Sequence, residues 1–292
     1  MKISINGKIC DEKEGYISIY DHGFLYGMGL FETFRTYQGK PFLWEEHVTR
    51  LRLACLEAGI VCQINEHETQ ELITQLLAKN QLKDAYFRYS ISAGVETLGM
   101  PQHKYENPTH IMYVKELPTG AYTDATKSKN LQLLQHKRNT PDSRYRLKSF
   151  HYMNNILAKF ELQRYPWAQE AEGLMLTQTG HLAEGIVSNL FFVRDHQLCT
   201  PSLDTGILAG VTRNCVIQIA QRLQMKVIEG WFTWEDLVFA DEVFLTNSIQ
   251  GIMSVTHVYD IEGNQYPIGA QSSSEDTSLY ARKYQLLTES VT

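Results

Sequence analysis

Two stretches near the start of the sequence combine residues that bind small anionic molecules. Residues 21–33 read DHGFLYGMGLFET, and their closely spaced glycines would let a ligand approach the backbone, although glycines alone more often mark a hairpin turn. His47 and Arg50 are three residues apart, a spacing that puts both on one face of a helix. An arginine on a rigid helix can bind a phosphate with its planar guanidinium, but most exposed arginines are only solvated.

Two later stretches are typical of anion-binding loops. Residues 201–213, PSLDTGILAGVTR, run from the end of a strand into a helix that we expect to begin near Gly210. The unpaired N–H groups and the positive dipole end of such a helix attract an anion, and Thr212 adds a hydroxyl. Residues 246–248, TNS, follow a predicted strand, where a sheet offers loop groups to a ligand. A helix start without a ligand and an ordinary turn are the structural alternatives.

Hydrophobic periodicity and turn signals predict the elements that position these residues. Apolar residues recur at every third or fourth position from Trp44 to Ala58, which predicts a helix, and Asn65 with Glu68 marks the start of a second one. Strands are predicted at 2–7, 16–20, 34–37, 86–93 and 110–114. The first part of the chain is therefore α+β.

The periodicity lapses around residues 117–129, where Pro, Gly, Thr, Asp and Ser are concentrated as in a linker. We expect a small N-terminal domain over 1–118, an interdomain linker over 119–128 and a large C-terminal, cofactor-binding domain over 129–292. In the latter, strands are predicted at 131–135, 174–177, 189–193, 226–229 and 242–246, and helices at 152–163, at 211–223 and around Leu279 and Tyr280.

The composition excludes several classes of function. With 43% hydrophobic and 21% charged residues among 292, the chain is typical of globular proteins, and its net charge of −6 makes nucleic acid an unexpected partner. No apolar run is long enough to span a membrane, and the start MKISINGKIC lacks the apolar core of a signal peptide, so we expect a cytoplasmic protein with no membrane partner. The five scattered cysteines, without a C-x-x-C pair, predict no metal site and reduced thiols.

Taken in order, these motifs resemble the signature of type IV pyridoxal-phosphate enzymes, the branched-chain aminotransferase-like family. The matching runs are DHGFLYGMGLFET, HxxRL, a lysine heading a helix, EGxxSNLF and ILxGxTR, and they extend from about Lys2 to Val255. The resemblance implies pyridoxal 5′-phosphate as the cofactor, a small-molecule substrate and a homodimer. It also implies a two-domain fold, with a small N-terminal α/β domain and a larger C-terminal α/β domain.

By the same resemblance, Lys148 is the lysine that bonds covalently to the cofactor, and Glu184 is the carboxylate that pairs with the protonated pyridine nitrogen. That pairing keeps the ring cationic, so that it can take up electrons when the substrate loses a proton. Thr33 would face the cofactor region and relay a proton. The remaining cofactor-binding residues implied by the family pattern are Arg50, Leu208, Gly210, Val211, Thr212, Asn247 and Ser248.

The family contains D-amino acid aminotransferases, branched-chain aminotransferases and aminodeoxychorismate lyases. Residues 94–103, where D-amino acid aminotransferases carry an Arg-x-His, contain no arginine. Lys148 is followed by SFHY, whereas branched-chain aminotransferases usually have GGNY there. The segment RYRLKSFHYMNN instead resembles the lyases. We therefore expect conversion of 4-amino-4-deoxychorismate to 4-aminobenzoate and pyruvate in folate biosynthesis, with D-amino acid or branched-chain transamination as the alternative.

Overall fold

The computed structural model describes residues 1–118, 128–269 and 276–290. The helices are α1 (His22–Tyr26), α2 (Trp44–Glu57), α3 (Glu66–Lys79), α4 (Met153–Leu162), α5 (Val211–Arg222), α6 (Trp234–Val238) and α7 (Asp276–Glu289). The strands are β1 (Lys2–Ile5), β2 (Lys8–Asp11), β3 (Gly29–Tyr37), β4 (Lys40–Pro41), β5 (Tyr86–Ser92), β6 (Thr109–Lys115), β7 (Ser128–Leu133), β8 (Glu172–Leu176), β9 (Leu182–Gly185), β10 (Asn189–Arg194), β11 (Gln197–Pro201), β12 (Val227–Gly230), β13 (Glu242–Asn247), β14 (Gly251–Tyr259) and β15 (Gln265–Pro267). The mixed α/β content agrees with the predicted fold class.

The first compact unit contains residues 1–118, Leu147–His151 and 288–290. Its sheet has the strand order β2-β1-β6-β5-β3-β4, and all its neighbouring strands are antiparallel. Side chains of β3, α2 and α3 share one core, which includes Phe34, Leu51 and Ile73. Helices on one face of an antiparallel sheet bury the apolar side of both elements.

The periodicity of the sequence located both helices of this unit correctly. Helix α2 begins at Trp44, as predicted, and ends one residue before the predicted end at Ala58. Helix α3 begins after Asn65, whose side chain accepts a hydrogen bond from the backbone N–H of Glu68 at 3.3 Å. Asn65 therefore acts as the predicted N-terminal cap.

The second compact unit contains residues 128–146, 152–269 and 276–287. Its sheet has the order β12-β11-β10-β13-β14-β7-β8-β9, with β15 paired to β14. The pairs β11–β12, β14–β7 and β7–β8 are parallel, and the other pairs are antiparallel. Helix α5 begins at Val211 with Gly210 as its N-terminal cap residue, as the sequence predicted.

Several elements differ from the sequence predictions; two strands show the reasons, and the predicted linker lies mostly outside the described residues. Residues 16–20 were predicted to form a strand but do not, because their backbone is not paired with a neighbouring strand of this unit. Tyr16 and Ile19 are exposed. Strand β14 was not predicted, because a bulge between Val255 and His257 interrupts its alternation. The predicted linker 119–128 falls almost wholly on 119–127, outside the described residues, so the domain boundary stays a prediction.

Within the described ranges, no helix is both long enough and apolar enough to cross a membrane.

Candidate active site

Strand β3 carries one buried acidic residue, Glu32, on the side that faces helix α2. Its neighbours on the same side, Leu30 and Phe34, belong to the apolar core. Glu32 is 1% exposed, and it accepts hydrogen bonds from the two residues that the sequence placed on one helical face. The distances are 2.6 Å from His47 Nδ1 to Oε2, and 2.8 Å and 2.5 Å from Arg50 Nε and Nη2 to Oε1 and Oε2.

The charges of this cluster are set by burial and by the mutual contacts. Burial acts to raise the pKa of Glu32, but the charge of Arg50 and the hydrogen bonds of His47 and Arg50 outweigh it and lower that pKa to about 2. Burial lowers the pKa of His47 below its usual value, and the hydrogen bond and charge of Glu32 offset only part of this shift. A neutral His47, an anionic Glu32 and a cationic Arg50 therefore form the cluster, and the bidentate contact fixes the Arg50 guanidinium in one orientation.

Lys148 lies beside β3 in the first unit, within the short segment Leu147–His151, whereas the chain on either side of that segment belongs to the second unit. The backbone of Phe31 donates to the Lys148 carbonyl at 2.9 Å, and Phe150 donates to the Gly29 carbonyl at 2.9 Å. A Cβ at Gly29 would lie 2.3 Å from the Phe150 ring, so glycine is needed for this close approach. The Lys148 amine is 4.7 Å from the centre of the Phe31 ring.

A second cation, Arg88 on β5, contacts the same ring. Its guanidinium carbon is 3.5 Å from the centre of the Phe31 ring, a cation–π contact, and its Nε donates to Ser90 Oγ at 3.2 Å. Arg88 is the cross-strand partner of half-buried Thr33. Sequence reasoning missed Arg88, although its alternation with buried Phe87 and Tyr89 in β5 indicates that it points away from the core.

In the second unit, Glu184 at the end region of β9 is 4% exposed and has partners on both carboxylate oxygens. Arg138 Nε donates to Oε1 at 2.8 Å. The backbone N–H of Leu208 and the side-chain amide of Asn189 donate to Oε2 at 3.0 Å and 3.2 Å. A second guanidinium, that of Arg146, lies 3.9 Å from Oε1.

The two arginines beside Glu184 are themselves held, Arg138 by helix α4 and Arg146 by the loop before α5. Arg138 Nη1 donates to Asn154 Oδ1 at 2.7 Å, and Arg146 Nε donates to the Gly206 carbonyl at 2.5 Å. Burial and the charge of Arg138 lower the pKa of Arg146 to about 10, against the opposing charge of Glu184. Glu184 therefore sits in a firmly positioned, positively charged environment.

The start of α5 has the features of an anion site in the same unit. Thr212 Oγ1 in the first turn lies 3.5 Å from Ser248 Oγ, which follows β13. Asn247 shapes that turn, because its Oδ1 accepts from the N–H groups of Ile249 and Gln250 at 3.0 Å and 2.8 Å. Two hydroxyls thus lie together at the positive end of a three-turn helix.

The predicted site residues therefore occupy two groups. The first unit holds Thr33, Arg50 and Lys148. The second unit brings Glu184 into contact with Leu208, and Thr212 together with Ser248, and it also holds Gly210, Val211 and Asn247. The functional role of each residue stays a prediction.

A family model described as amino-transferase class IV matches residues 29–258, which is more than half of the chain. The chain belongs to this family, as the resemblance of its motifs predicted. Over 279 residues it is 39% identical to the aminodeoxychorismate lyase of Bacillus subtilis (strain 168), an alignment that covers 95% of this chain and 92% of that protein.

Solved structures agree with this assignment. The 4-amino-4-deoxychorismate lyase from Pseudomonas aeruginosa matches with a TM-score of 0.80 and 26% identity over 99% of both chains. A branched-chain amino acid aminotransferase from T.th., solved with pyridoxamine 5′-phosphate, matches with a TM-score of 0.83 and 26% identity, over 99% of this chain and 94% of that one. The predicted fold is thereby confirmed.

Proposed function

We propose that this protein is a pyridoxal-phosphate-dependent lyase that converts 4-amino-4-deoxychorismate to 4-aminobenzoate and pyruvate, a step of folate biosynthesis. The observation that carries the proposal is the 39% identity to the Bacillus subtilis aminodeoxychorismate lyase across 95% of the chain. The similarity to the Pseudomonas aeruginosa lyase structure supports it along the whole length of both chains.

The residues of the chain fit pyridoxal 5′-phosphate by their chemistry. The N–H groups at the start of α5, with the hydroxyls of Thr212 and Ser248, suit a phosphate, and the guanidinium of Arg50 is a further candidate. The carboxylate of Glu184 suits a protonated ring nitrogen. A similar aminotransferase structure contains pyridoxamine 5′-phosphate, the amine form of this cofactor. When bound, the cofactor supplies a cationic ring that takes up the electron pair released from the substrate.

Lys148 is proposed to bond to the cofactor and to move the proton. The ring carbon that bears the substrate's amino group loses a proton, the ether bond to the enolpyruvyl group breaks, and the ring becomes aromatic. The two products contain all the atoms of the substrate, so no second substrate is needed. The amine of Lys148 takes the proton from that carbon, a proton passes to the departing enolpyruvate to give pyruvate, and Glu184 would stabilise the cationic ring nitrogen.

Arg88 is our candidate for binding a carboxylate of the substrate. Its planar guanidinium matches a carboxylate, and it contacts the same Phe31 ring as the Lys148 amine, at 3.5 Å and 4.7 Å from the ring centre. A carboxylate bound to Arg88 would lie at the same aromatic side chain as the group that moves the proton. Thr33, the cross-strand partner of Arg88, keeps its proposed role as a proton relay.

The test is turnover of aminodeoxychorismate by the purified holoenzyme with no keto acid present. We expect many turnovers that release 4-aminobenzoate and pyruvate in equal amounts. Lys148→Ala is the control for spontaneous breakdown of the substrate. Less than one product molecule per active site would contradict the lyase assignment.

The alternative is a D-amino acid or branched-chain amino acid aminotransferase, which the match to the aminotransferase structure with pyridoxamine 5′-phosphate favours. A transaminase transfers the amino group of its substrate to the cofactor, so it needs a keto acid to accept that group before each further cycle. Leucine or D-alanine with 2-oxoglutarate would then be much the better substrate pair. Faster turnover of either pair than of aminodeoxychorismate would establish this alternative.

We also propose a homodimer, for which exposed apolar side chains provide support. In the first unit, Tyr16, Ile19, Phe24, Leu98 and Met100 are exposed. Exposed apolar side chains that lie together in a folded protein often mark a contact with another chain. Sedimentation equilibrium should give twice the mass of the chain, and a monomer at micromolar concentration would contradict the proposal. The cytoplasmic location stays a prediction from the sequence.

A further inference from the structure

Asn189, the first residue of β10, lies at the junction of three segments of the second unit. Its side-chain amide donates to Glu184 Oε2 at 3.2 Å and to the Leu208 carbonyl at 2.9 Å. Its backbone is paired with Thr246, two residues before Ser248. The side chain is buried, with 5% exposure of the residue, and none of the roles given above includes it.

Gly210 indicates that the position of this amide is restricted. Its φ of −66° is available to any residue, so the backbone conformation does not require glycine. A Cβ at Gly210, however, would lie 2.0 Å from Asn189 Oδ1. The amide of Asn189 therefore occupies the space of a side chain at the start of α5.

We propose that Asn189 is a positioning residue that holds the Glu184 carboxylate at a fixed distance from the start of α5. This inference rests on the roles proposed above for Glu184 and for α5. The cofactor ring is rigid, so its nitrogen and its phosphate can both be bound well only when their two protein partners keep a fixed separation. Without Asn189, Oε2 would keep only the N–H of Leu208 while Arg138 still holds Oε1, so the position of the carboxylate relative to α5 would be less restricted.

The experiment compares the binding of two ligands to the full-length protein after removal and replacement of its cofactor. The ligands are pyridoxal 5′-phosphate and its 1-deaza analogue, in which a carbon replaces the ring nitrogen. The wild type should bind the natural cofactor about tenfold to a hundredfold more tightly, since only that ligand makes a charge-assisted hydrogen bond to Glu184. The ratio of the two affinities measures how well the Glu184 carboxylate is positioned to bind the ring nitrogen.

We expect Asn189→Ala to reduce this ratio about threefold to tenfold, while affinity for the deaza analogue changes little. Asn189→Leu should have a similar effect, because it keeps a side chain of similar size but cannot donate a hydrogen bond, and it serves if Asn189→Ala does not fold. The matched control is Asn80→Ala, which removes an amide that only bridges backbone groups of Lys2 and Leu76 in the first unit. It should leave the ratio unchanged.

If Asn189→Ala and Asn189→Leu each weaken the binding of both ligands equally, Asn189 only packs, and the proposal is overturned. Glu184→Gln distinguishes this failure from a wrong role for Glu184. A wild-type ratio in Glu184→Gln would overturn both assignments, whereas a lost ratio there with a wild-type ratio in Asn189→Ala would overturn only this one. Neither result depends on lyase activity, which is tested separately with aminodeoxychorismate.

Discussion

Replacement of Glu32 by glutamine removes the anion at the centre of the buried cluster in the first unit. The carboxylate accepts three hydrogen bonds from His47 and Arg50, and the Arg50 side chain is 18% exposed. Glutamine keeps the size of the side chain but has one acceptor oxygen and no charge. Arg50 would then lose its bidentate partner while it remains mostly buried.

The size of the effect follows from the pKa of Glu32, which is lowered from 4.5 to about 2. At about 1.4 kcal/mol per pH unit, this difference corresponds to about 3 kcal/mol of stability at pH 7. The value agrees with the roughly 3–5 kcal/mol lost when one partner of a buried ion pair is removed. We expect Glu32→Gln to lower the free energy of unfolding of this unit by about 3 kcal/mol.

The pH dependence provides a sharper signature than the loss at pH 7. Because the folded-state pKa of Glu32 lies below its unfolded value, the stabilisation is complete above about pH 5 and is lost as the pH falls toward 2. Between pH 7 and pH 4 the wild type should lose about 1 kcal/mol through this group. Glu32→Gln should lack that component.

Urea unfolding at pH 7 and pH 4 measures both quantities. Fluorescence of Trp44 in α2 reports on this unit once Trp167, Trp231 and Trp234 are replaced by phenylalanine. Glu57→Gln, at an exposed position of the same helix, is the matched control and should follow the wild type at both pH values. An equal loss between pH 7 and pH 4 in Glu32→Gln and in the wild type would refute the reasoning.

Three further substitutions test the proposed roles. Lys148→Ala should abolish the yellow colour of the purified holoenzyme with unchanged circular dichroism, and a borohydride-reducible link in the variant would show that another lysine bonds to the cofactor. Arg50→Lys keeps the charge but loses the bidentate contact with Glu32 that orients the side chain, so affinity for pyridoxal 5′-phosphate should fall about tenfold to a hundredfold by equilibrium titration. Pyridoxal, which has no phosphate, should bind as in the wild type, and an equal loss for both would exclude Arg50 from phosphate binding. Arg88→Gln should raise KM for aminodeoxychorismate at least tenfold with an unchanged cofactor absorbance spectrum, and an unchanged KM would remove Arg88 from the substrate site.

The periodicity of the sequence predicted those elements whose packing is local. Helix α2 is amphipathic over its whole length, and the start of α5 is marked by Gly210, so both were located to within a residue. Residues 16–20 have strand-forming side chains, but a strand also needs a partner, and that information is not local. Strand β14 was missed for a related reason, because its bulge shifts the alternation in the middle of the strand.

The role of Glu32 as the hydrogen-bond acceptor for His47 and Arg50 was not predicted from the sequence, for a different reason. Family resemblance indicated Arg50, and helical spacing put His47 beside it, but neither pointed to their common acceptor on β3. The available signal was alternation, since Glu32 stands between Leu30 and Phe34 on the core-facing side of the strand. A carboxylate on that side has to meet cations, and α2 supplies Arg50 from a helix that covers the same face.

The position of Arg88 bears on the choice between lyase and transaminase. Residues 94–103 lack the arginine that D-amino acid aminotransferases use to bind a carboxylate, and from the sequence this absence favoured the lyase. The first unit nevertheless holds a guanidinium on strand β5, against the same aromatic ring as the Lys148 amine. Since either kind of enzyme could bind a carboxylate there, the absence of the loop arginine does not distinguish a lyase from a transaminase. Lys148 and Glu184 also serve both reactions equally. What separates the two is the fate of the amino group: a lyase releases it with the product in every cycle, so steady turnover of aminodeoxychorismate without a keto acid belongs to the lyase alone.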